Sequence, residues 1–174
     1  MIPTEAQAKA LWDTYQMPAP KRIHVALVAR VAEFFATKIQ PVNIPLLRAA
    51  ALLHDIDKAV PRLPGEGHPE TAVRILKEEG MEEVANLVAT HSLHAILDPK
   101  TAPTTWEQKL LYLADKMVKY EIITVDQRFA LWNAEHLPKD AQQILDECYP
   151  KVKELEKEVF GLIGITPQEV AKVA

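Results

Sequence analysis

The stretch Leu46-Leu47-Arg48-Ala49-Ala50-Ala51-Leu52-Leu53-His54-Asp55-Ile56-Asp57-Lys58 begins as an almost unbroken apolar run and ends abruptly in charge. Only Arg48 interrupts the apolar part, so the segment predicts a helix buried nearly all round, crossing the centre of a domain. Asn43 suits its N-cap and Pro45 is tolerated in its first turn, which gives a helix from about Asn43 to Lys58. His54 and Asp55 then stand ~100° apart at its buried end. Their unequal lengths let both reach one ion. Lys58 lies a turn beyond His54 on the same side, where its ammonium can meet a phosphate. Asp57 falls roughly opposite Asp55 and reads as a solvated or helix-capping residue.

The helices on either side repeat this habit of setting a polar residue on an apolar stripe. His24 continues the stripe Leu27, Val28, Val31, Phe35 of a helix spanning about Lys21 to Lys38. Asp115 shares a face with Leu111, Ala114 and Val118, and His91 with Val84, Leu87 and Val88. A buried carboxylate without partners costs several kcal/mol, and a divalent cation relieves that cost by binding carboxylates and neutral imidazoles together. Each position taken singly also fits a plainer role, a histidine bonded to a carbonyl or an aspartate paired with Arg or Lys. Their joint occurrence on separate helices favours a metal site.

The remaining elements are helical too. Helices are expected at Glu5 to about Tyr15, His68 to Glu79, Glu82 to about His94, Val125–Glu135 and Lys139–Phe160, with a short one after Thr166. Thr104 and Glu107 form a capping-box pattern that opens a helix reaching about Tyr120. No segment alternates with period two, so the fold class is all-α, a compact helical bundle. At 174 residues the chain suits a single domain over 1–174, its core at about 20–120 and the helices of 121–174 packed upon it. Lys139–Phe160 mixes charge with apolar positions, suited either to covering the core or to a homodimer contact.

Composition excludes several classes. A net charge of −4 gives no general nucleic-acid affinity. Cys148 is alone, which rules out a disulfide framework and a zinc-thiolate cluster, and it reads as a small helix residue. No run approaches the ~20 apolar residues of a membrane span, and no signal core opens the chain, so a cytoplasmic location is expected.

The series His24 … His54-Asp55 … Asp115 resembles the H…HD…D signature of the HD superfamily of metal-dependent phosphohydrolases, over about residues 20 to 120. Leu52-Leu53-His54-Asp55-Ile56-Asp57-Lys58 is similar to the LLHDIGK form common there, with Asp57 in place of a small residue. Gly67-His68-Pro69-Glu70-Thr71-Ala72 and Thr90-His91-Ser92 resemble segments that carry two further histidines in binuclear members. The resemblance implies one metal on His24, His54, Asp55 and Asp115, and a second on His68 and His91, bridged through Asp55. It points to the branch that symmetrically hydrolyses dinucleoside tetraphosphates and, more distantly, to the HD-GYP phosphodiesterases. Lys116-Met117-Val118-Lys119-Tyr120 departs from the acidic, Pro- and Arg-containing continuation of the tetraphosphatases, which leaves the substrate open.

The implied reaction is hydrolysis of a phosphate ester or anhydride, on a small phosphorylated substrate such as a nucleotide, by metal-activated water. Asp55 and Lys58 are the candidate catalytic residues, and Lys58, Arg62 and His94 the candidate substrate contacts. Arg62, in the Pro/Gly loop Pro61–Gly67, reads equally as a solvated loop charge, and His136 as a surface residue. The ligand set suits one or two ions of iron, manganese or nickel, and magnesium less well because it prefers oxygen. Two alternatives stand beside this reading. One is a mononuclear nucleoside 5′-monophosphate phosphatase, although Lys58 occupies the neighbourhood where that group carries a Glu. The other is a nucleotide-binding regulatory module without turnover. A purely structural helical domain requires every polar residue on these stripes to be coincidence.

Overall fold

The computed structural model describes residues 1–174. It contains α1 (Glu5–Thr14), α2 (Ala19–Ala36), α3 (Ile44–Leu53), α4 (Glu70–Glu78), α5 (Glu82–Val88), α6 (Trp106–Lys116), α7 (Val125–Asn133), α8 (Lys139–Ile163) and α9 (Val170–Val173). Short 3₁₀ turns cover Leu93–Leu97 and Pro167–Glu169, and the extended backbone amounts to one isolated bridge between Val118 and Ile122. The all-α expectation holds. No helix is long and apolar enough to cross a membrane.

α3 is the central element, with α1, α2, α5 and α6 packed around it. Leu47 and the run Ala49 to Leu53 are buried, as its composition requires. The three alanines let neighbouring backbones approach closely. α2 packs on it with Val25, Val28, Val31, Ala32 and Phe35, all inaccessible to solvent. Trp12 of α1 donates its indole N–H to the Leu52 carbonyl at 2.8 Å, fixing α1 near the end of α3. α8 covers the core with Leu145, Cys148, Val152, Val159 and Phe160, and Phe160 meets Phe35 edge-on at 5.6 Å. Cys148 is a buried helix residue with its thiol toward the Leu93 carbonyl.

Several boundaries differ from the sequence expectation, each for a local reason. α3 ends at Leu53 instead of Lys58, because the chain tightens into successive i→i+3 turns, with Ile56 bonded to Leu53, Lys58 to Asp55 and Val60 to Asp57. α4 starts at Glu70 instead of His68, since Pro69 disfavours helical backbone in the residue before it. α5 stops at Val88, well short of His94. The Thr90 hydroxyl bonds the Leu87 carbonyl and competes with helix continuation.

α6 ends at Lys116 instead of Tyr120, where the chain turns into the Val118–Ile122 bridge. Its capping box lies one residue later than Thr104/Glu107: Thr105 caps and Gln108 returns the bond, while Glu107 accepts from the Asn43 N–H. α8 runs through Gly161 to Ile163 and is closed by Gly164 in the left-handed conformation at φ 74°.

Candidate metal centre

Four histidines and three aspartates from five separate segments meet in one cluster. His24 comes from the middle of α2, Asp115 from the last turn of α6, and His54-Asp55 from the turns just beyond α3. His68 precedes α4, and His91 sits in the turn after α5. Three overlapping groups, His24–His54–Asp115, His54–Asp55–His91 and Asp55–Asp57–His68, have ligand atoms within 4.8 Å of one another. Asp55 and His54 each belong to two of them, so the groups form one continuous site.

Hydrogen bonds decide which nitrogen of each ring is available. His24 Nδ1 donates to the Lys119 carbonyl at 3.1 Å, and His54 Nδ1 to the Ala51 carbonyl at 2.8 Å. His91 Nδ1 donates to the Val88 carbonyl at 2.6 Å, and His68 Nδ1 to the Asp57 carboxylate at 2.9 Å. Carbonyls and carboxylates only accept, so the proton of each ring sits on Nδ1 and all four Nε2 lone pairs are bare.

These lone pairs converge on one another and on carboxylate oxygens. His68 Nε2 lies 2.9 Å from His91 Nε2, and His24 Nε2 lies 2.9 Å from Asp115 Oδ1. His54 Nε2 is buried, without a hydrogen-bond partner, 3.4 Å from Asp115 Oδ1. Acceptor facing acceptor at such distances is repulsive unless a cation lies between. Two donors bonded at ~2.1 Å to one ion, at right angles, stand roughly 3 Å apart. The residues present therefore fit a divalent metal: imidazole nitrogens with fixed tautomers, ionised carboxylates and an orphaned buried nitrogen.

The electrostatics agree. Burial alone would raise the Asp115 carboxyl, but Lys116 and the neighbouring His24 and His54 rings hold it well below the usual carboxylate range. Asp55 behaves likewise: burial is outweighed by His54 and Lys58, and its carboxyl is held down. Burial and the neighbouring His54 and His68 push His91 well below an ordinary histidine, which keeps it neutral. Burial also opposes charge on His54, but Asp55 and Asp115 outweigh it and raise its pKa, so proton and metal compete for the same Nε2.

Residues 22–119, more than half of the chain, match the HD domain family. The chain belongs to the HD-domain family. That family is one of metal-dependent phosphohydrolases, and the match spans all seven clustered residues. No curated protein and no solved structure matches the chain.

Around the HD cluster lies a cleft of about 260 Å³, lined by charged side chains. Lys58 places its ammonium 3.1 Å from Asp55 and lines the cleft. His94 lines the cleft, exposed, from the 3₁₀ turn and not from the end of a helix as expected. Arg62 is exposed in its loop and does not line the cleft, and His136 is on the surface.

Asp57 corrects the sequence reading. It is neither solvated nor capping but 6 % exposed, holding the His68 ring. The helical angle that set it opposite Asp55 does not apply, because the helix has already ended. Three cations went unread. Lys21 reaches Asp55 at 3.0 Å, one turn before His24 on the same face of α2. Lys116 is 1 % exposed, 2.8 Å from Asp115 Oδ2, and bonded to the His91 carbonyl, so it ties α6 to the turn that carries His91. Arg128 and Trp132 of α7 also line the cleft. The signal for Arg128 was its place in the stripe Val125, Phe129, Trp132, the same pattern that exposed His24.

Proposed function

We propose that this chain hydrolyses a phosphate ester or anhydride of a small molecule, a nucleotide by class, with two divalent ions in the HD cluster. The observation that carries the reading is the convergence of four bare Nε2 atoms on Asp55 and Asp115. His24, His54, Asp55 and Asp115 would hold one ion, and His68 and His91, together with Asp55, a second. Iron, manganese or nickel suits this mixed nitrogen and oxygen set. Ions held there supply a water of lowered pKa and polarise the phosphoryl oxygen.

The chain's own residues do the rest. The Ala51, Val88 and Lys119 carbonyls and the Asp57 carboxylate hold each imidazole in its Nδ1–H form, so no reorganisation is needed when an ion or substrate arrives. Lys58 and Lys21 flank Asp55, and Lys116 flanks Asp115. In the free protein these ammonium groups neutralise the carboxylates. With the carboxylates engaged in holding ions, Lys58 and Lys21 at the cleft would be free to face a phosphoryl group and stabilise charge developing on its oxygens. The resulting excess of positive charge favours a phosphorylated substrate over a neutral one.

The test is metal analysis together with an assay against nucleoside mono-, di- and triphosphates and dinucleotides. His54→Ala and Asp55→Ala are expected to lose both metal and hydrolysis. Unchanged metal content in both variants would sink the site.

A further inference from the structure

Arg128 is the one cation of the cleft without a counter-charge. Lys21, Lys58 and Lys116 each lie against a carboxylate of the cluster, at 3.0, 3.1 and 2.8 Å. The guanidinium of Arg128 pairs with none, and its Nε and Nη1 are buried without any hydrogen-bond partner. Elsewhere in the chain Arg48 and Arg74 are paired with carboxylates. Leaving buried donors unmade is costly, so such a group in a cleft implies an acceptor that arrives with a ligand.

The guanidinium is also held in place. It stacks on Trp132, with Cζ 4.1 Å from the ring centroid, and Phe129 packs edge-on against that indole at 5.2 Å. Stacking fixes the plane of the fork while leaving its N–H groups free, an arrangement suited to an oxyanion. Arg128 lines the same cleft but makes no ion pair with the carboxylates that the three lysines touch, so it is free to receive an anion other than the group at the ligands.

The geometry points to Arg128, braced by Trp132, as the binding residue for a second oxyanion of the substrate, so that the substrate carries two anionic groups. This deepens the proposed function and rests on it, since the cleft is taken as the substrate cleft. The second group is a phosphate or a carboxylate, and the two are distinguishable.

Metal-loaded wild type and Arg128→Met are titrated by calorimetry with inorganic phosphate, pyrophosphate and phosphonoacetate. Methionine replaces an unpartnered, partly buried cation with an apolar chain of similar reach, and an unchanged melting temperature checks the fold. Wild type is expected to bind at least one of the two-anion probes more tightly than phosphate. Arg128→Met is expected to lose roughly ten- to a hundredfold on that probe while its phosphate affinity changes little. Arg128→Lys should recover part of the loss, because charge is kept and the fork is not. A gain for pyrophosphate alone assigns a second phosphate, and an equal gain for phosphonoacetate assigns a site open to carboxylates.

Two-anion affinity unchanged in Arg128→Met overturns the inference, as does an equal loss on inorganic phosphate. Metal content of the same samples reports separately on the centre. A chain that holds no metal yet loses pyrophosphate affinity on Arg128→Met refutes the metal reading and leaves Arg128 standing.

Discussion

His24 and Asp115 reach the cluster from regular helices, α2 and α6, whereas Asp57, His68 and His91 reach it from turns. The helical side is fixed by core packing: Val25, Val28, Leu111 and Ala114 around these ligands are inaccessible to solvent. The turn side is fixed by individual hydrogen bonds, from His68 to Asp57 and from His91 to Val88. His54 and Asp55 sit where the two meet, at the end of a buried helix and the start of the turns. A rigid helical half suits a tightly held ion, and a half built from single bonds suits one whose affinity those bonds tune.

That contrast sets the order of expected effects. The largest belongs to the junction: Asp55→Ala is expected to remove both ions and to reduce hydrolysis to background, checked by elemental analysis and phosphate release. Next, His68→Ala or His91→Ala should halve the metal content and leave the helical-side ion bound. Loss of both ions in either variant would erase the distinction between the halves. Asp57→Asn keeps the size of the side chain but removes its charge, and is expected to weaken the turn-side ion roughly ten- to a hundredfold. A chelator titration followed by metal analysis reads this directly.

The two halves also differ in how they could be read from sequence. His24 and Asp115 interrupt apolar stripes that persist in the structure, so periodicity located them. His91 was placed by the same rule, yet α5 ends at Val88, so the stripe led to the residue but not to its backbone. His68 came from family resemblance, because a loop has no periodicity to interrupt. Asp57 was misplaced since its angle was taken from a helix that stops at Leu53. Lys116 leaves no sequence signal: its charge is buried only because Asp115 and the His91 carbonyl come from elements distant in sequence from each other. The fold class was legible throughout, because helix formation here follows local spacing and caps, while the turns depend on tertiary contacts.

Smaller effects sharpen the comparison on the helical side. Thr105→Ala is expected to cost about 1 kcal/mol of stability by removing the α6 cap, and Thr104→Ala less, as denaturant unfolding would report. An equal loss from both would mean that the two threonines share the cap. Away from the centre, Tyr15 joins α1 to α4 by donating to Glu79 at 2.6 Å. That hydrogen bond, with burial, pushes the phenol up to about 12 from 10.0. The raised pKa means the bond stabilises the fold below pH 10, and its contribution disappears as pH rises through about 12. An ultraviolet absorbance titration of the wild type minus Tyr15→Phe should show one late-ionising tyrosine.

The most direct measurement is metal stoichiometry by elemental analysis of wild type, Asp55→Ala and His68→Ala, purified without chelator and each loaded with manganese or iron. The expected result is two ions per chain in wild type, none in Asp55→Ala and one in His68→Ala. Equal metal content in all three proteins would contradict a centre built on Asp55.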